Sequence, residues 1–277
     1  MENASATLLS VQDISKQQQL ETTSTQTFPN VSNPVTSSDL TADILNDVSE
    51  VNAAFEKIAA PERLSWLHQK YGTRIVLSSS FGLQAAVMLD LISKHAPEVP
   101  IVWLDTGYLF AETYQYAEQL IEELKLNVNV YHPKLSAARQ EALYGKLWEK
   151  GVDGNEKYGR INKVEPMQRA LSEFNADIWI SGLRRSQSST RVNREFAEVQ
   201  NNILKVYPIL DWADAQVSAY FYDQNLPKHP LESQGYQTMG DWHSTRPVLE
   251  GESSETSRFG GSKYECGLHS GTGDYQI

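Results

Sequence analysis

From Arg74 onward, short apolar runs alternate with longer amphipathic stretches, and that alternation leaves few folds open to the chain. Arg74–Leu77, Pro100–Leu104, Asn127–Tyr131, Asp177–Ser181 and Ile203–Leu210 read as strands. Between them, Leu83–His95, Phe110–Lys125, Ser136–Glu149 and Val164–Phe174 read as helices, and Asp211 reads as the cap of a last one through Tyr222. Within Phe110–Lys125, Thr113, Ala117, Leu120, Ile121 and Leu124 fall on one helical face. Pro166 falls in a first turn, where its missing N–H costs nothing. Strands separated by helices are joined by crossovers, which make neighbouring strands parallel. The expectation is an α/β fold: a mainly parallel, twisted sheet with helices on both faces, followed by a flexible C-terminal arm.

Three regions follow from composition. Residues 1–43 are rich in Ser, Thr, Gln and Asn with scattered apolar residues, too few to offset the entropy of ordering, and read as a disordered leader. Residues 44–234 form the expected α/β domain, entered through Ile44, Val48, Val51, Phe55 and Ile58 at helical spacing. Pro61 interrupts that pattern before Leu64, Trp66 and Leu67 resume it, and Gly151–Gly159 reads as loop. Beyond Pro227 periodicity is lost, and residues 235–277 read as an irregular arm. A chain of 277 residues with 40% hydrophobic content is large enough for a sizeable core.

The net charge of -11 argues against a nucleic-acid surface, which needs a basic face. No apolar run reaches membrane-spanning length, no basic region precedes an apolar N-terminal core, and no arginine precedes Arg63. The expected compartment is the cytosol, with no membrane partner.

Against that acidic background, four segments stand out. A strand running into Ser78, Ser79, Ser80, Phe81 and Gly82 and then into a helix is how a phosphate cradle is built. The segment lacks the lysine of a Walker loop and the glycines of a dinucleotide fingerprint, so a plain serine-rich turn competes with that reading. Asp105, Thr106 and Gly107 end the second strand, at the sheet edge where ligands of open α/β folds bind; Asp105 could accept from a ribose hydroxyl or an adenine amino group, or simply close a turn. Arg184, Arg185, Arg191 and Arg194, interleaved with Ser186, Ser188, Ser189 and Thr190, suit a polyanion better than a solvated face. Asp241, His243, Arg246 and Arg258 form the last group, and with no second histidine at ligand spacing no metal site is expected there.

Cys266 is the single cysteine, in Lys263-Tyr264-Glu265-Cys266-Gly267-Leu268-His269. Lys263 and His269 are placed to favour a thiolate, and the glycines around it free the backbone to carry it to a partner. The competing reading, a small buried core residue, fits this polar surrounding poorly. One thiol per chain excludes a four-thiolate iron-sulfur cluster, a cysteine-rich zinc site and an internal disulfide, so a redox cycle through it needs an outside reductant.

Together the words Leu77-Ser78-Ser79-Ser80-Phe81-Gly82, Leu104-Asp105-Thr106-Gly107-Tyr108-Leu109-Phe110, Tyr144-Gly145-Lys146-Leu147-Trp148, Asn162-Lys163-Val164-Glu165-Pro166-Met167, Gly182-Leu183-Arg184-Arg185 and Glu265-Cys266-Gly267-Leu268-His269 resemble the thioredoxin-dependent phosphoadenylyl-sulfate (PAPS) reductases of sulfate assimilation. They run in order over roughly Val51 to Ser270. The resemblance implies an adenine-nucleotide α-hydrolase-like fold, a modified pyrophosphate loop at Ser78–Gly82, and Cys266 as nucleophile. It further implies substrate contacts from Asp105, Thr106, Gly107, Arg184, Arg185, Arg191, Arg246, Arg258, Lys263 and His269. Thioredoxin, with glutaredoxin as the alternative, would be the external reductant, no cofactor would be bound, and the chain would form a homodimer. The superfamily's usual Ser-Gly-Gly-x-Asp-Ser word is absent, which weakens an ATP-cleaving adenylyltransferase reading. The related adenylyl-sulfate reductases carry further cysteines for a four-iron cluster, so the 3′-phosphorylated substrate is expected. A cluster-free adenylyl-sulfate reductase and a noncatalytic nucleotide-binding redox sensor are the alternatives.

Overall fold

A computed structural model of the protein describes residues 37–252 and Ser257, with side chains from Asn46 onward. Its centre is a six-stranded sheet of order β3-β2-β1-β4-β6-β5. The strands are β1 (Ile75–Ser79), β2 (Ile101–Leu104), β3 (Val128–Tyr131), β4 (Ile178–Ser181), β5 (Ala197–Gln200) and β6 (Ile203–Val206). All neighbours pair in parallel except β5, which is antiparallel to β6. The mainly parallel α/β expectation holds.

The helices are α1 (Ser37–Phe55), α2 (Ala60–Tyr71), α3 (Ala85–His95), α4 (Ala111–Leu124), α5 (Ala137–Tyr144), α6 (Gly151–Gly159), α7 (Glu165–Glu173) and α8 (Asp214–Asp223). Side-chain alternation along the strands sends Ile75 and Leu77 into a large core with Leu64, Leu67, Val87, Leu89, Leu120 and Val217 of α2, α3, α4 and α8. Val76, Val102 and Trp179 point the other way, onto Met167 and Ala170 of α7. The sheet is thus covered on both faces, as parallel sheets require.

Four elements depart from the sequence reading: helix α1 already runs from Ser37, inside the residues 1–43 expected as a disordered leader, and three others follow. Gly151–Gly159, expected as loop, is helix α6, and its middle glycine answers to packing: a Cβ on Gly154 would lie 2.2 Å from the Leu147 carbonyl oxygen. The expected helix Ser136–Glu149 ends at Tyr144, where Gly145 takes φ 65°, and resumes as a short 3₁₀ turn at Leu147–Glu149. Strand β5 has no counterpart in the sequence reading; it turns back through Asn201 and Asn202, both left-handed at φ 52° and 60°, as a tight hairpin demands. Asn52 of α1 closes the outer edge of β5, accepting from the Ala197 N–H and donating to the Ala197 carbonyl.

Asp211 does not cap α8, whose first turn begins at Asp214. Its carboxylate instead takes both amino groups of the buried Arg63 at 2.7 and 2.9 Å. The chain also runs helically from Gly151 to Glu173 through a wider π turn at Arg160–Val164. Pro166 supplies the reason: it offers no N–H to the carbonyl four residues back, and the Glu165 N–H reaches Arg160 instead.

Candidate functional site

The sheet order reverses direction between β1 and β4, and the loops leaving their carboxyl ends diverge there, which is where open α/β sheets hold ligands. Pairing of Ser78 with Ser181 sets the loop Ser78–Gly82 beside Gly182–Arg185. Gly182 is dictated by packing, since a Cβ there would meet the Met88 side chain at 2.8 Å. A cleft of about 640 Å³ opens between these loops, floored by Ser78, Ser79, Ser80 and Gly82 and roofed by the segment Tyr236–Asp241. Its cationic lining residues are Lys163, Arg184, Arg191 and Lys228, and its carboxylates are Asp214, Glu232 and Asp241.

The roof is fastened by a buried ion pair. Asp241 is 1% exposed, and its carboxylate accepts from Thr106 Oγ1 at 2.6 Å and lies 2.6 Å from Lys163 Nζ. Burial alone would raise the Asp241 pKa; the Lys163 charge and the hydrogen bonds from Lys163 and Thr106 outweigh it and hold the carboxyl below its ordinary value. A backbone bond from the Trp242 N–H to the Tyr108 carbonyl adds to the fastening. Beside it His243 stacks on Trp148 at 4.0 Å and 9°, with Tyr108 and Tyr158 edge-on, so the Tyr144–Trp148 word serves to pack this corner. The π turn positions Lys163, and Asn162 anchors that turn through a reciprocal amide pair with Gln140 of α5.

Arg184 is 1% exposed at the cleft wall, and its guanidinium is engaged by protein groups: Nη1 donates to Ser186, to the Trp212 carbonyl and to Asp214, and Nη2 to Gln84. Arg191, buried, lines the cleft and donates to the neutral amide oxygen of Gln187. Arg185 lies off the cleft lining; its Nε donates to the Arg194 carbonyl and its guanidinium covers Phe196 at 5.2 Å.

Residues 74–247 match the family described as "Phosphoadenosine phosphosulfate reductase domain". The chain belongs to the PAPS reductase family. It is 49% identical over 222 residues to a Photobacterium profundum protein named phosphoadenosine 5′-phosphosulfate reductase, covering 80% of this chain and 88% of that one. It is 50% identical over 224 residues to one of Klebsiella pneumoniae with the same name, covering 81% and 92%. Among solved structures it resembles PAPS reductase from Candida auris in its phosphate complex, with TM-score 0.64 and 29% identity over 78% of this chain and 100% of that chain. Candida glabrata FMN adenylyltransferase in complex with FAD and pyrophosphate superposes with TM-score 0.51 at 13% identity over 76% and 78% of the two chains, a likeness of fold alone.

Of the residues that the PAPS reductase resemblance singled out, the structure gathers Ser78, Ser79, Ser80, Gly82, Thr106, Arg184 and Arg191 around one cleft. Phe81 is buried behind the loop at φ 48°, packed 4.8 Å from Trp103. Asp105 and Gly107 do not line the cleft: Asp105 Oδ1 accepts from the Gly107 N–H and from the Tyr114 hydroxyl, closing a turn. Arg246 pairs with Glu252 away from the cleft lining. Cys266, Arg258, Lys263 and His269 lie outside the described residues. The sequence reading did not place Lys163, Gln84 or Asp241 in the site, although Lys163 stood in one of its matching words. Among the described residues no three His, Cys, Asp or Glu side chains group to hold a metal, and no helix is long and apolar enough to cross a membrane.

Proposed function

We propose that this chain reduces 3′-phosphoadenylyl sulfate to sulfite and adenosine 3′,5′-bisphosphate in sulfate assimilation. Membership of the PAPS reductase family supports that reading. The observation that carries it is a cleft at the sheet's topological switch point, lined among the described residues by four cationic side chains against three carboxylates in a chain of net charge -11. The nucleotide's phosphates lie along Ser78–Gly82 and Arg191, and Arg184 shapes the wall beside them. The backbone N–H groups and hydroxyls of the loop ahead of α3 hold the anion without a metal ion.

The chemical step runs through the single thiol. The Cys266 thiolate attacks the sulfonate sulfur, an S–S bond forms, the sulfur–oxygen bond to the 5′-phosphate breaks, and that phosphate leaves with the electron pair. A thioredoxin thiolate then attacks Cys266 Sγ and sulfite departs with the pair of the S–S bond. Its second thiol closes the thioredoxin disulfide and returns the Cys266 thiolate. Two electrons pass from the dithiol to sulfur, and the adenosine nucleotide is a good leaving group, so the protein's work is alignment and charge complementarity. Lys263 and His269 flank the thiolate in sequence and favour its ionised form. A homodimer in the cytosol belongs to the same proposal.

The test is a single turnover. Reduced protein mixed with PAPS and no thioredoxin should release at most one bisphosphate per chain and gain the mass of one sulfonate on Cys266, and thioredoxin should then free sulfite. Cys266→Ser should bind the bisphosphate and give neither burst nor adduct, because a hydroxyl is barely ionised near neutral pH. Free sulfite without any adduct, or turnover by Cys266→Ser, would overturn the covalent route.

A further inference from the structure

On the α7 side of the sheet, three adjacent strands bring one side chain each together: Lys205 on β6 lies opposite Trp179 on β4, and Ser78 on β1 stands two residues beyond Val76, which is opposite Trp179. The Lys205 ammonium sits 3.8 Å from the centroid of the Trp179 indole. Trp179 Nε1 lies 2.7 Å from Ser78 Oγ. Lys205 is fully buried and donates to Gln200 Oε1 at 2.8 Å, and Trp179 is 4% exposed. A lysine so deep in a sheet is unusual, and hydrophobic packing alone would be served by a leucine at that position.

Donor and acceptor rules decide what these three do. An indole N–H donates and cannot accept, so Ser78 Oγ is the acceptor of this bond. The serine's own proton therefore cannot point back at Trp179, and no described residue is recorded as accepting it. Ser78 lines the cleft. We infer that Trp179 is a positioning residue, which fixes the Ser78 hydroxyl as a donor directed at a bound oxyanion. A free serine hydroxyl would spend part of its time turned with its lone pairs toward the anion, which repels it; the indole removes that orientation before the ligand arrives. The Lys205 cation over the ring holds the indole in place and draws density from its N–H, strengthening it as a donor. The inference rests on the reading that nucleotide phosphate or sulfonate oxygens occupy the serine loop.

The experiment measures dissociation constants for adenosine 3′,5′-bisphosphate and for PAPS by calorimetry in the full chain. The variants are Ser78→Ala, Trp179→Phe and their double, with a thermal melt of each. A second probe at 179 is benzothienylalanine, which keeps the shape of the indole and the cation–ring contact but replaces N–H by sulfur. Ser78→Ala and the benzothienyl variant should each weaken binding about three- to tenfold, the worth of one oriented hydrogen bond. In the Ser78→Ala background, changing Trp179 to either replacement should cost no further affinity, because there is no hydroxyl left to orient. A merely structural role for Trp179 would lower the melting temperature and leave the affinities unlinked. Wild-type affinity in the benzothienyl variant, or losses at Ser78 and Trp179 that simply multiply, would overturn the inference while leaving the function intact. Failure of the wild type to bind either nucleotide would overturn both.

Discussion

The Lys163–Asp241 pair gives the sharpest test of how the cleft is held together. In Asp241→Asn the side chain keeps its size, but its amide can present one oxygen where the carboxylate presented two. Thr106 Oγ1 and Lys163 Nζ, each 2.6 Å from that carboxylate, then compete for it, and the amide N–H₂ faces another donor. The Lys163 side chain is 13% exposed and Asp241 1%, so solvent cannot fully replace the lost partner. Removing one member of a buried pair costs about 3–5 kcal/mol, and the lysine's access to the cleft lets it recover some hydration, so about 2–4 kcal/mol is expected here. Lys163→Met should cost a similar amount by stranding the carboxylate. The double variant Lys163→Met/Asp241→Asn should be more stable than the sum of the single losses by about 2 kcal/mol, since it leaves no buried charge behind. Urea unfolding at neutral pH measures all three. The pH dependence has a defined sign: a carboxyl held below its ordinary value in the folded state stabilises fully above the unfolded pKa, and that contribution declines below it until the pH has fallen through the folded-state pKa. The wild-type advantage over Asp241→Asn should therefore stay flat from about pH 7 to 5 and shrink only below about pH 4. Single losses under about 1 kcal/mol, or losses that add in the double variant, would refute the idea that this pair fastens the roof.

Other positions separate walls from contacts. Arg191→Ala should weaken bisphosphate binding about tenfold at low salt and less at high salt, because the lost contact is ionic, whereas Arg185→Ala, off the cleft lining, should change it little; equal losses in a calorimetric titration would refute the assignment. His229 is buried, accepts from the Leu231 N–H at Nδ1 and therefore donates from Nε2 to Thr113; burial lowers its pKa despite Glu112 and Glu232. Its folded state binds the proton less readily than the unfolded chain, so stability should fall as pH drops below about 6.5, and His229→Gln should flatten that slope in chemical denaturation. Asn202→Gly should keep or raise the melting temperature, while Asn202→Val should cost about 1–2 kcal/mol, since a β-branched residue resists the left-handed turn that joins β5 to β6.

The central strands were readable because Ile75–Leu77, Ile101–Leu104 and Ile178–Ile180 are continuous apolar runs, a pattern that burial on both faces imposes. Strand β5 was not, for the same reason reversed: Ala197-Glu198-Val199-Gln200 is an edge strand with one polar face, and four residues of alternation carry little signal. The Asn201-Asn202 pair was its one legible mark. Helix α6 was hidden by Gly151, Gly154 and Gly159, which read as breakers. At Gly154 the glycine serves a close approach to the Leu147 carbonyl, so composition reported a packing constraint and not a loop.

The same distinction runs through the site. Loops that leave strand ends, Ser78–Gly82 and Gly182–Arg191, were visible because position in the sheet and residue type agree there. A sequence shows that an arginine is present but not what already occupies its guanidinium. Arg184 looks like any member of the cluster, yet it spends its amino groups on Gln84, Ser186, Trp212 and Asp214. Asp105, which suited a ribose contact, is taken by Gly107 and Tyr114. The converse case is Lys163 with Asp241: nothing in either segment points to the other, and only the fold brings the π turn under the roof segment so that each neutralises the other. Strand-end position tells where an anion can sit, whereas the partners of each charge decide which cations remain to hold it. That second question is long-range: Trp212, Asp214 and Gln84 reach Arg184 from other segments of the chain, the last from 100 residues away.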